Sequence, residues 1–375
     1  MGLLLLAALH VYIGVRLAPA LPMAGGLAVV TALLGLWALL VSTTATVFGR
    51  RSAPAWLAWA GLIAVGFFSS LLVLTVLRDA VLLAAAAARA GGWPPPASLA
   101  AMTTLAVPAL AAAASLLGFL NARRRPAVRH VDVPIAGLPP ALEGFSIVQI
   151  SDLHVGPTIR HDFVQRVVDR VNSLAPDLTV VTGDVVDGRV ADLQAHTQPL
   201  GQLQARHGVF AVTGNHEYYS GAAEWIAEFR RLGITTLMNE HRLLQHGGAR
   251  FVLAGVADYS AHHFDPAHRS DPQQALRGAP DDAGPKVLLA HQPRSAQAAA
   301  EAGFDLQLSG HTHGGQFLPW NLFVPLQQPY TAGLHRHGRM WVYISRGTGY
   351  WGPPKRLGAP SEITRLRLVT AAAQQ

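Results

Sequence analysis

The sequence predicts a multi-pass α-helical membrane region followed by an α/β domain. Three observations carry this. Ionisable residues are scarce before Asn121 and plentiful after it. Long apolar runs fill the scarce part. After it, short apolar stretches alternate with amphipathic ones, and each short stretch ends on a small group of polar residues.

The chain has 375 residues, enough for two domains. Half are hydrophobic and 14% charged, unlike an average soluble protein. There is no cysteine, which removes disulfides, thiolate metal sites and a cysteine nucleophile. The net charge of +7 comes without a Lys/Arg run interleaved with aromatics, so nucleic acid is not an expected partner.

Residues 1–121 form the first region. Its acids and bases, histidine aside, are Arg16, Arg50, Arg51, Arg78, Asp79 and Arg89. Spans near Gly2–Ala18, Leu21–Phe48, Ala55–Leu77 and Ala97–Leu120 are each close to the ~20 residues a helix needs to cross a bilayer. The first resembles a signal-peptide core, but three further spans follow it. An alanine-rich soluble bundle would need a polar face, and these runs have none. Arg78-Asp79 marks an interface, and the third helix either runs on through Val81–Ala88 or gives way to a separate short segment. Gly91-Gly92-Trp93-Pro94-Pro95-Pro96 is a clear break. Arg50 and Arg51, with Arg123, Arg124, Arg125 and Arg129, outnumber Arg16 and Arg89 on the alternate side. The positive-inside rule then expects a multi-pass protein of the cell (inner) membrane, with the C-terminal domain in the cytoplasm.

Residues 122–140 are basic, then proline-punctuated, and read as a juxtamembrane linker. Residues 141–375 read as one compact domain. Sixteen of the 17 histidines lie beyond Asn121. Strands are expected at Phe145–Ile150, Leu178–Val181, Val209–Val212, Arg250–Val256, Val287–Leu289, Leu306–Leu308, Trp341–Ser345 and Ile363–Leu368. Helices are expected near Asp162–Leu174, Leu193–Arg206 and Ala222–Leu232.

Five of these strands end on chemistry-bearing residues: Asp152 and His154, Asp184, Asn215 and His216, His291, then His311 and His313. Such strand-end loops are where open α/β sheets assemble their sites. Strand alternation would put His311 and His313 on one side of an extended chain, and the glycines around them would admit a close neighbour. Alone, each residue reads more readily as a core Asp, a turn Asn or a loop imidazole. Together they form an oxygen-and-nitrogen donor set suited to Mn, Fe, Zn or Mg. Asp187 and Glu217 have the chemistry to orient ligands, but the preferred reading is a surface or turn carboxylate. His262, His263 and His268 read as loop residues, and His335 and His337 as exposed. Arg346 follows a strand and is a candidate cation for a phosphate. Tyr350, Trp351, Pro353 and Pro354 make an apolar loop, read first as packing over the sheet edge and second as meeting membrane or lipid.

In content and order, Asp152-x-His154, Gly183-Asp184, Gly214-Asn215-His216-Glu217, His291 and Gly310-His311-x-His313 resemble the calcineurin-like metallophosphoesterase family. With the apolar front, the chain is similar to that family's bacterial transmembrane branch. The resemblance runs from about Ser146 to Leu368 and implies a four-layer sandwich, two β-sheets flanked by helices. It implies two divalent ions as cofactors, the first on Asp152, His154 and His313 and the second on Asn215, His291 and His311, with Asp184 bridging. It gives His216 a catalytic role at the phosphate or leaving group. The implied reaction is hydrolysis of a phosphodiester, phosphomonoester or pyrophosphate by a metal-activated hydroxide. The implied partners are a phosphate-ester substrate, a lipid-linked one among the options, and the lipid bilayer. The alternative is a non-catalytic scaffold or sensor on the same fold. Such modules usually lose ligands, and here every ligand position is filled. A transporter reading of the front half ranks below both, for want of polar pathway residues apart from Arg78 and Asp79.

Overall fold

Why the apolar front folds as it does follows from its composition: with no polar face, its backbone groups are satisfied only inside helices. A computed structural model describes residues 2–44 and 54–371. By internal contacts the chain divides into two units. The first comprises Met1–Arg123 with the short segments Phe317–Pro319 and Gly352–Leu357. Its helices are α1 (Gly2–Leu17), α2 (Met23–Thr43), α3 (Ala55–Ala90) and α4 (Leu99–Arg123). All four are long and apolar enough to cross a membrane.

Val81–Ala88 belongs to α3, which runs unbroken for 36 residues. At 1.5 Å per residue that is about 54 Å, longer than the ~30 Å hydrocarbon core. Buried residues Ile13, Leu33, Leu40, Phe68, Leu71 and Val107 hold the helices together. Many other large apolar side chains, such as Leu4, Leu34 and Leu83, face outward. Arg78 is buried and donates to Thr104 Oγ1 at 2.8 Å, and Asp79 accepts from Tyr12 and Arg16. The pair therefore ties α1, α3 and α4 together. Arg50, Arg51 and the end of the second expected span at Phe48 lie outside the described residues.

The second unit comprises Arg124–Gln316, Trp320–Trp351 and Gly358–Gln375. Its strands are β1 (Ala127–Ile135), β2 (Ser146–Ile150), β3 (Leu178–Thr182), β4 (Val209–Val212), β5 (Thr235–Thr236) and β6 (Glu240–His246). There follow β7 (Ala249–Gly255), β8 (Lys286–Leu289), β9 (Leu306–Ser309), β10 (Gly333–His337), β11 (Met340–Ile344) and β12 (Glu362–Thr370). They form two mixed six-stranded sheets, ordered β1-β12-β2-β3-β4-β5 and β10-β11-β9-β8-β7-β6. Helices α5 (His161–Asn172), α6 (Val190–Thr197), α7 (Asn215–Ser220) and α8 (Ala222–Arg231) follow strands of the first sheet. Helices α9 (Pro272–Ala275), α10 (Ala296–Ala302) and α11 (Trp320–Gln327) belong to the second half of the chain.

One core lies between the sheets. Ile147, Val180, Val212, Leu253, Leu308 and Leu366 meet there. The other face of the second sheet packs under α9 and α10, with Val252, Leu288 and Val342 against Ala275, Ala296 and Ala299. In β7, Phe251 and Leu253 face one core and Val252 and Ala254 the other. A strand buried on both faces reads as an unbroken apolar run, which made β7 legible. This is the four-layer arrangement of two sheets flanked by helices.

Several expectations need correcting. Residues 122–140 are not only a linker, because β1 pairs in parallel with β12 over nine residues, Ala127↔Glu362 to Ile135↔Thr370. Val133 and Ile135 enter the inter-sheet core. Pro134 is tolerated because β1 is an edge strand. The expected helix Leu193–Arg206 ends at Thr197, and a 3-10 turn with Pro199 as its second residue follows over Gln198–Gln202. His335 and His337 are half-buried on β10 rather than exposed. His335 stacks on Tyr330.

Candidate metal centre

Strands β2, β3 and β4 are parallel neighbours in the first sheet, and β8 and β9 in the second. Their C-terminal ends therefore share a direction within each sheet. The loops after them bring Asp152, His154, Asp184, His216, His291, His311 and His313 within reach of one another. Three sets of donor atoms lie within 4.8 Å: Asp152, His154 and His313; His154, Asp184 and His216; Asp184, His291 and His311. Asp184 joins the second and third sets, and His154 the first and second.

The backbone is bent to achieve this. Of eight described non-glycine residues with positive φ, five are Asp152, Asp184, His154, His311 and His313. Left-handed backbone is costly for residues with a Cβ, and such strain concentrates at functional sites. His311 and His313 are accordingly not presented by an extended strand. β9 stops at Ser309, and each histidine turns in the left-handed region. His311 Nδ1 faces His291 Nε2 at 3.2 Å, whereas His313 Nε2 faces His154 Nε2 at 3.1 Å. Two glycines make the close approach possible. A Cβ on Gly310 would collide with Ser151 Oγ and Asp152 Oδ2, and one on Gly214 with Asp184 Oδ1.

Hydrogen bonds fix which nitrogens remain as donors of lone pairs. His154 Nδ1 lies 2.9 Å from Asp187 Oδ1, and His291 Nδ1 lies 2.8 Å from the Thr182 carbonyl. Carboxylate and carbonyl oxygens only accept, so Nδ1 carries the proton on each ring and Nε2 of the neutral ring keeps its lone pair. The two lone pairs point into the cluster, where His291 Nε2 also sits 3.1 Å from Asp184 Oδ2. Asp152 Oδ2 and Asn215 Oδ1 are buried and have no hydrogen-bond partner among the described residues. Buried oxygens without partners are costly, and a cation is the group that would satisfy them. The donor set thus fits divalent metal: hard oxygens and imidazoles, with no sulfur.

Asp187 and Glu217 overturn the surface reading. Asp187 Oδ1 accepts from both His154 Nδ1 and His216 Nδ1, the latter at 2.6 Å. Glu217 is fully buried. It accepts the backbone N–H groups of Gly214 (2.6 Å), Asp184 (3.0 Å), Val185 (2.8 Å) and Val186 (3.3 Å). One carboxylate thereby ties the β3 loop to the start of α7. The signal for it lay in Gly214-x-x-Glu217, the spacing at which a third-position Glu reaches back to the helix cap. Asp187 had no such local signal, since its partners come from two other loops.

Charge in the cluster is tightly balanced. Burial would raise the Asp184 carboxyl, but the imidazoles of His291, His216 and His154 outweigh it and hold it well below the usual range. Asp187 is likewise held low, with burial overcome by His154 and His216. Burial would lower His216, yet Asp184 and Asp187 push it up to about 9. Burial, reinforced by His291, takes His311 down to about 3. Arg346 is half-buried, its stem over Gly314 and its guanidinium 3.8 Å from Glu362. His262 and His263 form a 3-10 turn, and His268 pairs with Tyr218; none joins the cluster.

The comparisons agree with this geometry. The family profile described as Calcineurin-like phosphoesterase matches residues 145–315. A Bos taurus protein called "Transmembrane protein with metallophosphoesterase domain" is 42% identical over 280 residues, covering 70% of this chain and 63% of that protein. A Danio rerio protein of the same description is 38% identical over 270 residues, covering 70% and 62%. The chain thus spans just under two thirds of the length of these two relatives. An "Uncharacterized metallophosphoesterase" of Aquifex aeolicus is 33% identical over 228 residues, covering 60% of this chain and 85% of that protein. The chain belongs to the calcineurin-like metallophosphoesterase family.

Proposed function

We propose that this chain is a membrane-anchored dimetal phosphohydrolase that cleaves a phosphodiester, phosphomonoester or pyrophosphate bond. The observation that carries the reading is Asp184. Its Oδ2 lies 3.1 Å from His291 Nε2 and 3.8 Å from His154 Nε2, so one oxygen is shared by two donor clusters. In this reading Asp152, His154 and His313 would hold one divalent ion and Asn215, His291 and His311 a second, with Asp184 available to both. When bound, such a pair would neutralise phosphoryl oxygens and bring a water's pKa down towards ~7. A lipid-linked phosphate is a substrate class that the four apolar helices favour.

The chain's own residues supply the rest. Asp187 holds His216 through Nδ1, leaving Nε2 to face the cluster 3.9 Å from Asp184 Oδ2. The two carboxylates favour the protonated ring, so His216 is placed to donate a proton from Nε2 to a departing alkoxide. General acid help of this kind is typically worth ~10²–10⁴ in rate. Asp187 also fixes the tautomer of His154, so one carboxylate orients a ligand and the acid together.

The scaffold reading is tested by hydrolysis of bis-p-nitrophenyl phosphate by the full chain in detergent, with and without Mn²⁺. Metal-dependent release of nitrophenolate is expected. Negligible release under both conditions, after metal loading verified by elemental analysis, would favour the scaffold.

A further inference from the structure

Among the described residues, four of the nine exposed large apolar side chains of the second unit lie on one short helix. Helix α11, Trp-Asn-Leu-Phe-Val-Pro-Leu-Gln, has no buried residue and no charge. Leu326 is 79% exposed, Leu322 64% and Trp320 48%. A short, mostly apolar helix without a buried residue is not packing a core; patches of this kind mark interaction surfaces. It begins four residues after Gln316, in the loop that carries His311 and His313. The backbone of Asn321 lies so close to Gly315 that a Cβ there would collide with it.

Helix α11 leads to the candidate acid through a chain of rings. Phe323 and Trp320 have centroids 6.1 Å apart, Trp320 and Trp351 6.2 Å, and Trp351 and His216 6.2 Å. From His216 the rings also continue to Tyr219, three residues on in α7, at 5.1 Å and from there to Phe264 at 5.5 Å. All these aromatic side chains but His216 are exposed. Trp351 is held in place by Gln316, which donates to its carbonyl at 2.9 Å and accepts from its N–H at 3.0 Å. An exposed aromatic arc therefore crosses the one imidazole positioned to serve a leaving group.

The occupant is indicated by the rest of the chain. Trp320 follows directly on Pro319, and Trp351 directly precedes Gly352. Both joining segments, Phe317–Pro319 and Gly352–Leu357, group with the apolar helices of membrane-spanning length. Tryptophan and uncharged apolar residues at such a place suit the boundary between headgroups and acyl chains.

We propose that this arc is the subsite for the alkyl or acyl part of a membrane-resident phosphate ester, holding its phosphate at the metal centre beside His216. The inference rests on the phosphohydrolase reading above and adds the substrate class to it. No new bond-making step is involved, since the arc contacts only the apolar part of the ester.

The test is a series of alkyl p-nitrophenyl phosphodiesters, methyl to octyl, hydrolysed by the full chain in phosphatidylcholine nanodiscs with Mn²⁺. All members share one leaving group. The octyl to methyl ratio of kcat/KM is expected to reach about tenfold or more, the gain of burying two or more methylenes. In Trp320→Ser/Phe323→Ser, and separately in Tyr219→Ser/Phe264→Ser, that ratio should fall several-fold. A ratio cancels any general loss of activity, and these exposed positions make folding failure a minor risk. Calorimetric binding of octylphosphonate against methylphosphonate should show the same loss without turnover. A ratio near one in the unaltered chain overturns the inference and leaves the phosphohydrolase reading intact. An octyl preference unchanged in both variants reports bilayer partitioning alone and also overturns it. A change of oligomeric state in the variants with the ratio unchanged would assign the arc to a second copy of the chain instead. No hydrolysis of any ester removes the phosphohydrolase reading, and this inference with it.

Discussion

Asp187 is half-buried, yet it accepts from two imidazoles of different loops through a single oxygen. Replacing it by Asn would keep the shape and remove the charge that favours Nδ1–H on both rings. Asp187→Asn is expected to weaken Mn²⁺ binding or turnover by roughly 10- to 100-fold, read as a shift in the Mn²⁺ dependence of rate. Asp184→Ala or His313→Ala should reduce nitrophenolate release to the metal-free background; an unaffected rate in both would sink the ligand assignment. His216→Gln should leave metal content, measured by elemental analysis, near that of the parent chain. Its rate loss should be larger for an alkyl leaving group than for p-nitrophenolate, because only the poorer leaving group needs a proton. At this scale the sequence was legible wherever a residue stood at the end of an apolar strand, with glycine beside Asp184, Asn215, His311 and His313 as a further signal. Asp187 was not, because nothing local distinguishes it from a turn carboxylate.

Glu217 shows how one side chain builds an element junction. Its oxygens accept four backbone N–H groups from the β3 loop and from Gly214 before α7. Glu217→Ala would leave buried donors without acceptors, at a cost on the order of 3 kcal/mol or more. The expected result is a clearly lower unfolding midpoint for the full chain, with Glu217→Gln milder because it keeps one acceptor. An unchanged midpoint for Glu217→Ala would mean that water replaces the carboxylate. Among the elements, most central strands were readable because burial on both faces makes them continuous apolar runs, and β12 through its alternation of Leu366 and Leu368 with Arg365 and Arg367. The edge strands β1, β6 and β10 were not, since Arg129, Asp132, Arg242 and Arg336 lie within them. Charged edges discourage pairing with other chains, and that same property hides a strand from a hydrophobicity reading.

For the whole molecule, four helices of membrane-spanning length precede a metallophosphoesterase domain. From the arginine balance we propose a cytoplasmic side for that domain, with α3, unbroken through Val81–Ala88, taken as a single crossing. A reporter active only in the cytoplasm, fused after Gln375, should be active, whereas one that works only outside the membrane should be silent. The reverse pattern would overturn the orientation.

The sequence by itself determined the change from apolar helices to a mixed domain near Asn121, the alternation of most strands and helices, and the set of residues at the strand ends. Each of these follows from local composition, periodicity or steric preference, which neighbouring residues express without help. The tertiary structure alone decided which imidazole faces which. It also gave Asp187 two partners, shaped the left-handed turns at His311 and His313, and drew Trp320, Trp351 and Tyr219 towards His216. Most of those relations join loops that are far apart in the chain, and only strand pairing and sheet packing bring such loops together.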